Sequence, residues 1–295
     1  MIIEVNNNLI TFAAANINLT MKNFVLRSIS GIIYVALIVG ALAGGLVWST
    51  ALFSIFCVLA MLEFQRITMG AVKSGADIAA RALDIIVALA MCNIVYLLEM
   101  PTPIAMLSIC IAFGYAALRF TIALYDKSDH ALADTSWSAL SMFYIAAPLM
   151  MLGLLCSEQS GWKIVLTMFA IIWLNDTGAY CVGSLIGRKR LFPRLSPKKS
   201  WEGFFGGLAF CLAAGVGASY IIGEPFNMVE WLGFGAMVCV LSTWGDLFES
   251  LIKRTNHIKD SGNIIPGHGG ILDRIDSMLF ASVGVFVVLF CVDML

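Results

Sequence analysis

Apolar residues in this chain run in long blocks broken by short polar stretches. The blocks are residues 28–43, 46–65, 80–98, 103–123, 138–156, 162–184, 203–222, 229–252 and 271–292. A helix needs roughly 20 apolar residues to cross the hydrocarbon core of a bilayer. The pattern therefore predicts an all-α, polytopic integral membrane protein of about nine transmembrane helices. Only Gly44-Gly45 divides the first two blocks, which predicts a tight turn there. The two halves show no internal repeat, so an inverted-repeat transporter fold has no support in the pattern.

Composition agrees: mean hydropathy is +0.90, with 60% hydrophobic and 13% charged residues, outside the range of soluble domains. Charge placement adds an orientation. With nine spans and the N-terminus inside, all but Lys163 of the 18 Lys and Arg residues fall on the inner side or at inner helix ends. Glu99, Glu158, Glu224, Glu230 and Asp293 fall outside. That segregation predicts N-in, C-out, and an even helix count would destroy it.

Three regions follow: an N-terminal extension and inner segment over 1–27, N-terminal transmembrane helices over 28–160, and a C-terminal catalytic transmembrane region over 161–295. Residues 1–20 are polar and Asn-rich, and Met21-Lys22 reads as a second start, so 1–20 is expected to be an extension without an assigned role. The apolar run after Arg27 leads straight into a second one, which argues against a cleaved signal peptide. The eight cysteines form no CxxC pair and read as small buried hydrophobes. Up to about residue 160, Glu63, Arg66, Lys73, Arg81, Asp126, Lys127 and Asp129 read as topology signals and solvated loop charge.

Chemistry concentrates in the C-terminal half. Asn175-Asp176 lies inside an apolar block, and a carboxylate there costs about 2.5–3.5 kcal/mol to insert. The loop Gly187–Gly203 carries six cations: Arg188, Lys189, Arg190, Arg194, Lys198 and Lys199. Such a loop serves either topology and anionic-lipid attraction or, with the helix start after Ser200, phosphate binding. Asp246 and Ser250 share a helix face, as do Glu249 and Lys253, and Asp273 and Asp276. At the helical rise per residue, Asp246 sits about 9 Å inside its helix end, Asp276 about 8 Å and Asp176 about 12 Å. Carboxylates at matching depth converge, and they repel unless a cation or a proton stands between them. Hard oxygen donors without thiolate or imidazole partners point to Mg²⁺, with room for a second cation. Gly267, Gly269 and Gly270 around His268 imply a close approach of backbone to a ligand, or a tight turn. Phosphate, metal and the cations Lys253, Arg254, Lys259 and Arg274 together describe a phosphoryl- or nucleotidyl-transfer site.

The segment Ser250–Asp276 resembles the signature of phosphatidate cytidylyltransferases, the CDP-diacylglycerol synthases. The match is carried by Ser250, Ile252, Lys253, Arg254, Lys259, Asp260, Gly262, Pro266, His268, Gly269, Gly270, Asp273, Arg274, Ile275 and Asp276. Asn175–Tyr180 and Ser196–Gly203 also look like upstream motifs of that family. The resemblance covers the C-terminal half, while the N-terminal half agrees in helix content alone. It implies that CTP and phosphatidic acid give CDP-diacylglycerol and pyrophosphate with Mg²⁺. It further implies Asp246 and Asp276 as metal ligands, and Asp246, Asp276, Lys253 and Asp273 as the catalytic set. Substrate binding would fall to Asn175, Asp176, Ser196, Lys198, Lys199, Ser200, Arg254, Lys259, Asp260, His268, Gly269, Gly270 and Arg274. Of these, Lys198, Lys199 and Arg274 would neutralise phosphates.

The implied setting is a bacterial inner membrane, with the site facing the cytoplasm and opening to the inner leaflet. No nucleic-acid partner is expected. The glycine-rich helix 203–217 offers a homodimer contact. Two other readings compete: a CTP-dependent polyprenol or dolichol kinase, and an ion or lipid transporter. The full signature disfavours the kinase. Polar residues crowd the inner third of the membrane, which disfavours the transporter.

Overall fold

The computed structural model describes residues 28–72, 74–98, 104–126, 128–262 and 269–291, so the expectations for residues 1–27 and for His268 fall outside it. The helices are α1 (Ser28–Ala43), α2 (Leu46–Met69), α3 (Gly75–Cys92), the single turn α4 (Val95–Leu98) and α5 (Ile104–Tyr125). After them come α6 (Ala131–Ser141), a π-helical turn (Met142–Ala146) and α7 (Ala147–Ser157), which form one continuous rod. The C-terminal half holds α8 (Gly161–Ile186), α9 (Trp201–Ile221), α10 (Met228–Thr255) and α11 (Leu272–Cys291). Gly45 takes φ 94° ahead of α2, a left-handed conformation natural to glycine, so the turn expected at Gly44-Gly45 is present.

The all-α membrane class holds. Among the described residues, six helices are long and apolar enough to cross a bilayer: α2, the α6–α7 rod, α8, α9, α10 and α11. The apolar helix α1 is shorter, and α3 is interrupted by Asp77, Arg81 and Asp84. Of the cysteines, Cys57, Cys92, Cys156, Cys211 and Cys239 are buried and unpaired, as expected for small hydrophobes, whereas Cys181 and Cys291 are uncovered by protein.

Between Arg190 and Ser200, where only a loop was expected, the chain forms a hairpin. Strands β1 (Arg190–Phe192) and β2 (Ser196–Ser200) pair antiparallel, with Arg190 opposite Ser200. Its anchor is local alternation: Leu191 is buried while Arg190 and Phe192 point outward. Leu191 and Leu195 pack on Leu247 of α10, which fixes the hairpin against the bundle.

Inside lipid, helices associate through close packing more than through the hydrophobic effect. One continuous core runs from Ile38 to Leu289 and draws on both halves of the chain. Helix α9 meets α8 through glycines. A Cβ on Gly203 would stand 2.9 Å from the carbonyl oxygen of Ala179, and one on Gly183 would stand 3.3 Å from the Cα of Gly203. Gly215 lies equally tight against the backbone of Trp231 in α10. Of the glycines in the stretch that suggested a second subunit, Gly203, Gly206, Gly207 and Gly215 pack within the chain.

The N-terminal half is less bland than its sequence suggested. Asp84 is fully buried and receives hydrogen bonds from Ser138 Oγ (2.6 Å) and Tyr115 Oη (2.9 Å), with Arg119 Nε 3.3 Å away. Arg81 is buried, pairs with Asp77 at 2.6 Å and donates to the carbonyls of Met69 and Gly70 at the end of α2. Buried charge is tolerated when paired and hydrogen-bonded, and each of these groups is.

Candidate active site

The C-terminal ends of α8 and α10 and the start of α9 meet at the hairpin, and the C-terminal part of α2 meets the start of α11. Ser200 caps α9, its Oγ accepting from Gly203 N at 3.1 Å, so the helix starts directly behind Lys198 and Lys199. Glu202 turns back to accept from the backbone N–H groups of Arg188 and Lys189, closing the base of the hairpin. Between the hairpin, α8, α9 and α10 lies a cavity of about 510 Å³. That volume is in the range of small-molecule sites. Asn175, Asp176, Lys198, Lys199 and Ser200, all singled out from sequence, line it together with Tyr180, Arg190 and Thr243.

Asn175 has a second task. Its amide donates to Ser242 Oγ (3.2 Å) and Thr243 Oγ1 (3.4 Å), and its Oδ1 accepts from Cys239 Sγ at 3.2 Å, tying α8 to α10. Asp176 faces the cavity, within electrostatic reach of Lys199, Asp246 and Arg274. Lys199 forms an ion pair with Asp246, so the cationic wall is joined directly to α10.

The convergence of carboxylates expected from helix depth is present, with one more member. Oxygens of Asp246, Glu249 and Asp276 lie within 4.8 Å of one another. Asp246 also accepts from Ser250 Oγ at 3.4 Å, one turn on as the spacing predicted. Glu249 was read from sequence only as a partner of Lys253. The two do pair, yet neither buried oxygen of Glu249 receives a well-aligned hydrogen bond among the described residues. A buried carboxylate whose partner is the Lys253 ammonium, beside two further carboxylates, makes a donor set fit for a hard divalent cation such as Mg²⁺. The sequence signal for Glu249 was its place three residues after Asp246, on the same face.

Helix contact makes this cluster. A Cβ on Gly245 would sit 2.6 Å from the carbonyl oxygen of Asp276, so only glycine lets α10 and α11 approach this closely. Gly245→Val is expected to cost about 1–3 kcal/mol by overpacking and to push Asp246 away from Asp276. Thermal unfolding in detergent, with cation binding followed in parallel, checks both effects.

Lys253 and Asp273 stand behind the cluster. Lys253 Nζ donates to Asp273 Oδ1 at 2.6 Å while pairing with Glu249. Asp273 Oδ2 accepts from Ser261 N (2.9 Å), Ser261 Oγ (2.8 Å) and Gly270 N (2.9 Å). Gly269, at φ 82°, and Gly270 let the loop close over protein carboxylates: a Cβ on Gly269 would stand 2.6 Å from Asp273 Oδ2. Arg254 donates to Ile258 O at 2.9 Å, and Lys259 and Asp260 are exposed on the same loop. Arg274 is exposed, and its carbonyl accepts from Tyr34 Oη at 3.0 Å. Ser196 is half-buried in the hairpin, paired across it with Phe192. Arg254, Lys259, Asp260, Arg274 and Ser196 are thus not among the residues lining the cavity.

Among the residues of the N-terminal half that pack near this region are two that the sequence reading did not single out for the site. Tyr144 sits on the π-turn, its ring edge-on to Phe248 (centroids 5.0 Å) and Phe280 (6.2 Å). Its buried hydroxyl has no hydrogen-bond partner among the described residues, and Asp276, Glu249 and Asp246 lie within its electrostatic reach. The π-turn is a common device at functional sites, but apolar flanks hide it in a sequence. The other is Glu63, buried on α2 and bonded to the start of α11.

A helical membrane bundle with a cationic cavity wall joined to a three-carboxylate cluster defines a class: membrane proteins whose side chains suit phosphate groups and a divalent cation. Sequence comparison narrows the class. The pattern of the Cytidylyltransferase family matches residues 25–292, and the chain belongs to that family. Similar proteins include the phosphatidate cytidylyltransferase of Staphylococcus aureus (strain COL), 39% identical over 172 residues. That of Staphylococcus saprophyticus is 40% identical over 173 residues, and that of Staphylococcus haemolyticus 36% over 172. In each case the matched stretch spans 58% of this chain and 64% of the relative.

Proposed function

We propose that this protein transfers the cytidylyl group of CTP to phosphatidic acid, forming CDP-diacylglycerol and pyrophosphate. The observation that carries this reading is the Lys199–Asp246 ion pair, which couples a cavity lined by Lys198, Lys199 and Arg190 to the Asp246–Glu249–Asp276 cluster. The names of the staphylococcal relatives and the signature over Ser250–Asp276 support it.

In the reaction a phosphate oxygen of the lipid attacks the α-phosphorus of CTP. A new phosphoanhydride bond forms as the bond to the β-phosphate breaks, and pyrophosphate leaves with the electron pair. Both reactants are anions, so positioning and charge neutralisation matter more than a strong base. Asp246, Asp276 and Glu249 would hold Mg²⁺, with a second cation in the same reading; the bound metal would supply positive charge against the phosphates. Lys198 and Lys199 bind phosphate from the cavity wall, with Arg274 adding charge from its edge. Asp176 and Asn175 orient the nucleotide from α8, Asn175 also holding α10 in register. Ser196 and Ser200 shape the hairpin and the helix start. Lys253 and Asp273 act by positioning Glu249 and the start of α11. Arg254, Lys259, Asp260, His268, Gly269 and Gly270 complete the surrounding loop.

The reading places about nine spans in a bacterial cell membrane, N-in and C-out, with the cavity on the cytoplasmic side beside the basic hairpin. Catalytic groups come mainly from residues 161–295, with the helices of 28–160 as their support. The homodimer expectation passes to faces other than the Gly203–Gly215 stripe.

The test is purified protein in mixed micelles with phosphatidic acid and radiolabelled CTP, with and without Mg²⁺. Mg²⁺-dependent label in the organic phase with matching pyrophosphate is the expected result. CDP without CDP-lipid when a polyprenol is supplied would replace the reading by a kinase, and no nucleotide use with any lipid would replace it by transport. Within this reading, Lys199→Ala should raise the CTP concentration for half-maximal rate by about tenfold, the loss of one charge-assisted contact. An effect on the lipid requirement alone would reassign Lys199 to the headgroup.

A further inference from the structure

We infer that Glu63 is a positioning residue: from α2 its carboxylate seats the start of α11 and so sets where Asp276 stands in the acidic cluster. Glu63 is 3% exposed, beside the fully buried Met61 and Phe64. A carboxylate in such surroundings costs several kcal/mol unless its oxygens are bonded. Here Oε1 accepts from Ile271 N at 3.0 Å, and Oε2 accepts from Leu272 N at 2.8 Å and Ser261 Oγ at 3.2 Å. Two of these donors belong to the orphan N–H groups that open a helix, and the third belongs to the loop leading into it.

The partner is therefore a helix start, supplied with its anionic cap from another helix more than 200 residues away in sequence. The positive end of the helix dipole favours a negative charge at that point. The loop is shaped to the carboxylate. A Cβ on Gly262 or on Gly270 would overlap it, so glycine at both places lets the chain close around Glu63. Arg66, one turn further along α2, donates to Ser261 O at 2.8 Å. Ser261 is thus held at its carbonyl by Arg66 and at its amide by Asp273, while its one hydroxyl proton is shared between Asp273 Oδ2 (2.8 Å) and Glu63 Oε2 (3.2 Å).

The consequence for the cluster is geometric. Asp276 lies one turn beyond Leu272, so any shift of the helix start moves its carboxylate relative to Asp246 and Glu249 on α10. Glu63 touches neither the cavity lining nor the cluster, and it acts through α11 alone. In its effect on turnover the inference rests on the cytidylyl-transfer reading; in its effect on α11 and on cation binding it does not.

The experiment compares the full-length protein with Glu63→Gln and Arg66→Met in detergent. Glu63→Gln keeps one carbonyl acceptor but loses the charge and one acceptor oxygen. Three readouts are taken: hydrogen exchange of the peptide spanning residues 270–273, Mn²⁺ binding without nucleotide, and KM against kcat for CTP. For Glu63→Gln the expected results are faster exchange and roughly 10- to 100-fold weaker Mn²⁺ binding, the range for partners that orient metal ligands. The fall in kcat should match, with KM for CTP within about twofold because the Lys199 wall is untouched. Arg66→Met, at an exposed position, should move the same readouts in the same direction by a smaller factor.

Unchanged exchange and Mn²⁺ affinity in Glu63→Gln would overturn the assignment. So would a loss of kcat that merely tracks the loss of folded protein. Should Glu63→Gln fail to fold, Arg66→Met decides by the same criteria. If the wild-type protein showed no cytidylyl transfer, the functional reading would fall, while exchange and Mn²⁺ binding would still decide the role of Glu63.

Discussion

Asp276→Asn is expected to lower turnover by about a thousandfold or more, a loss of roughly 4 kcal/mol of transition-state stabilisation. Asp276 is buried, and its oxygens lie within 4.8 Å of those of Asp246 and Glu249. Asparagine matches its shape and leaves an oxygen to accept the 2.6 Å hydrogen bond from Ser277 N. What changes is charge, and a hard divalent cation is held by charge and oxygen number. Mn²⁺ binding to the detergent-solubilised protein should weaken in step with the rate, while thermal unfolding stays near wild type. Wild-type turnover with wild-type Mn²⁺ affinity would remove Asp276 from the cation site. Asp246→Asn should show the same loss together with a second symptom. The variant also frees Lys199 from its ion pair, so the dependence on CTP concentration shifts as well.

Lys253→Met is expected to destabilise the protein by about 3–5 kcal/mol, the cost of leaving buried charge without its partner. Lys253 is 9% exposed and stands between Glu249 and Asp273, the first on α10 and the second on α11. Methionine fills the same space and removes the ammonium that pairs with both. Unfolding by denaturant in mixed micelles reads the effect. The double variant Lys253→Met/Glu249→Gln should recover part of the loss, because one of the two stranded charges is gone. A change within about 0.5 kcal/mol in the single variant would mean that the carboxylates are neutralised by other means.

Much of the candidate site was legible because helix geometry turns spacing into position. Asp246 and Asp276 fall at matching depth on neighbouring helices by counting residues, and they do meet. Ser250 and Lys253 take the partners that their i,i+4 spacing assigns. The glycines of the signature loop were also visible as a close approach, though not what they approach. In the structure they close over Asp273 and Glu63.

Other elements resisted reading for identifiable reasons. The hairpin is held by Leu191 and Leu195 against Leu247, a contact between segments about 50 residues apart that no local pattern announces. Glu249 looked satisfied by Lys253, because the spacing that pairs them is the ordinary one for a surface helix. Its place beside Asp246 and Asp276 became visible only in the assembled bundle. Glu63 and Arg81 resembled loop charges because burial is a property of the assembled bundle, not of the sequence around them.

The sequence by itself determined the membrane class, the helical architecture, the signature and the residue types from which the proposed phosphate chemistry is argued. These follow from local quantities: the length of apolar runs, the rise of a helix and the pattern of charged side chains. The tertiary structure alone decided which carboxylates share one point, that Lys199 joins the cavity wall to α10, and that α2 holds the start of α11. Those contacts form between residues tens to hundreds of positions apart. Their existence depends on how closely two helices pack, which here turns on the missing side chains of Gly203, Gly245 and Gly270.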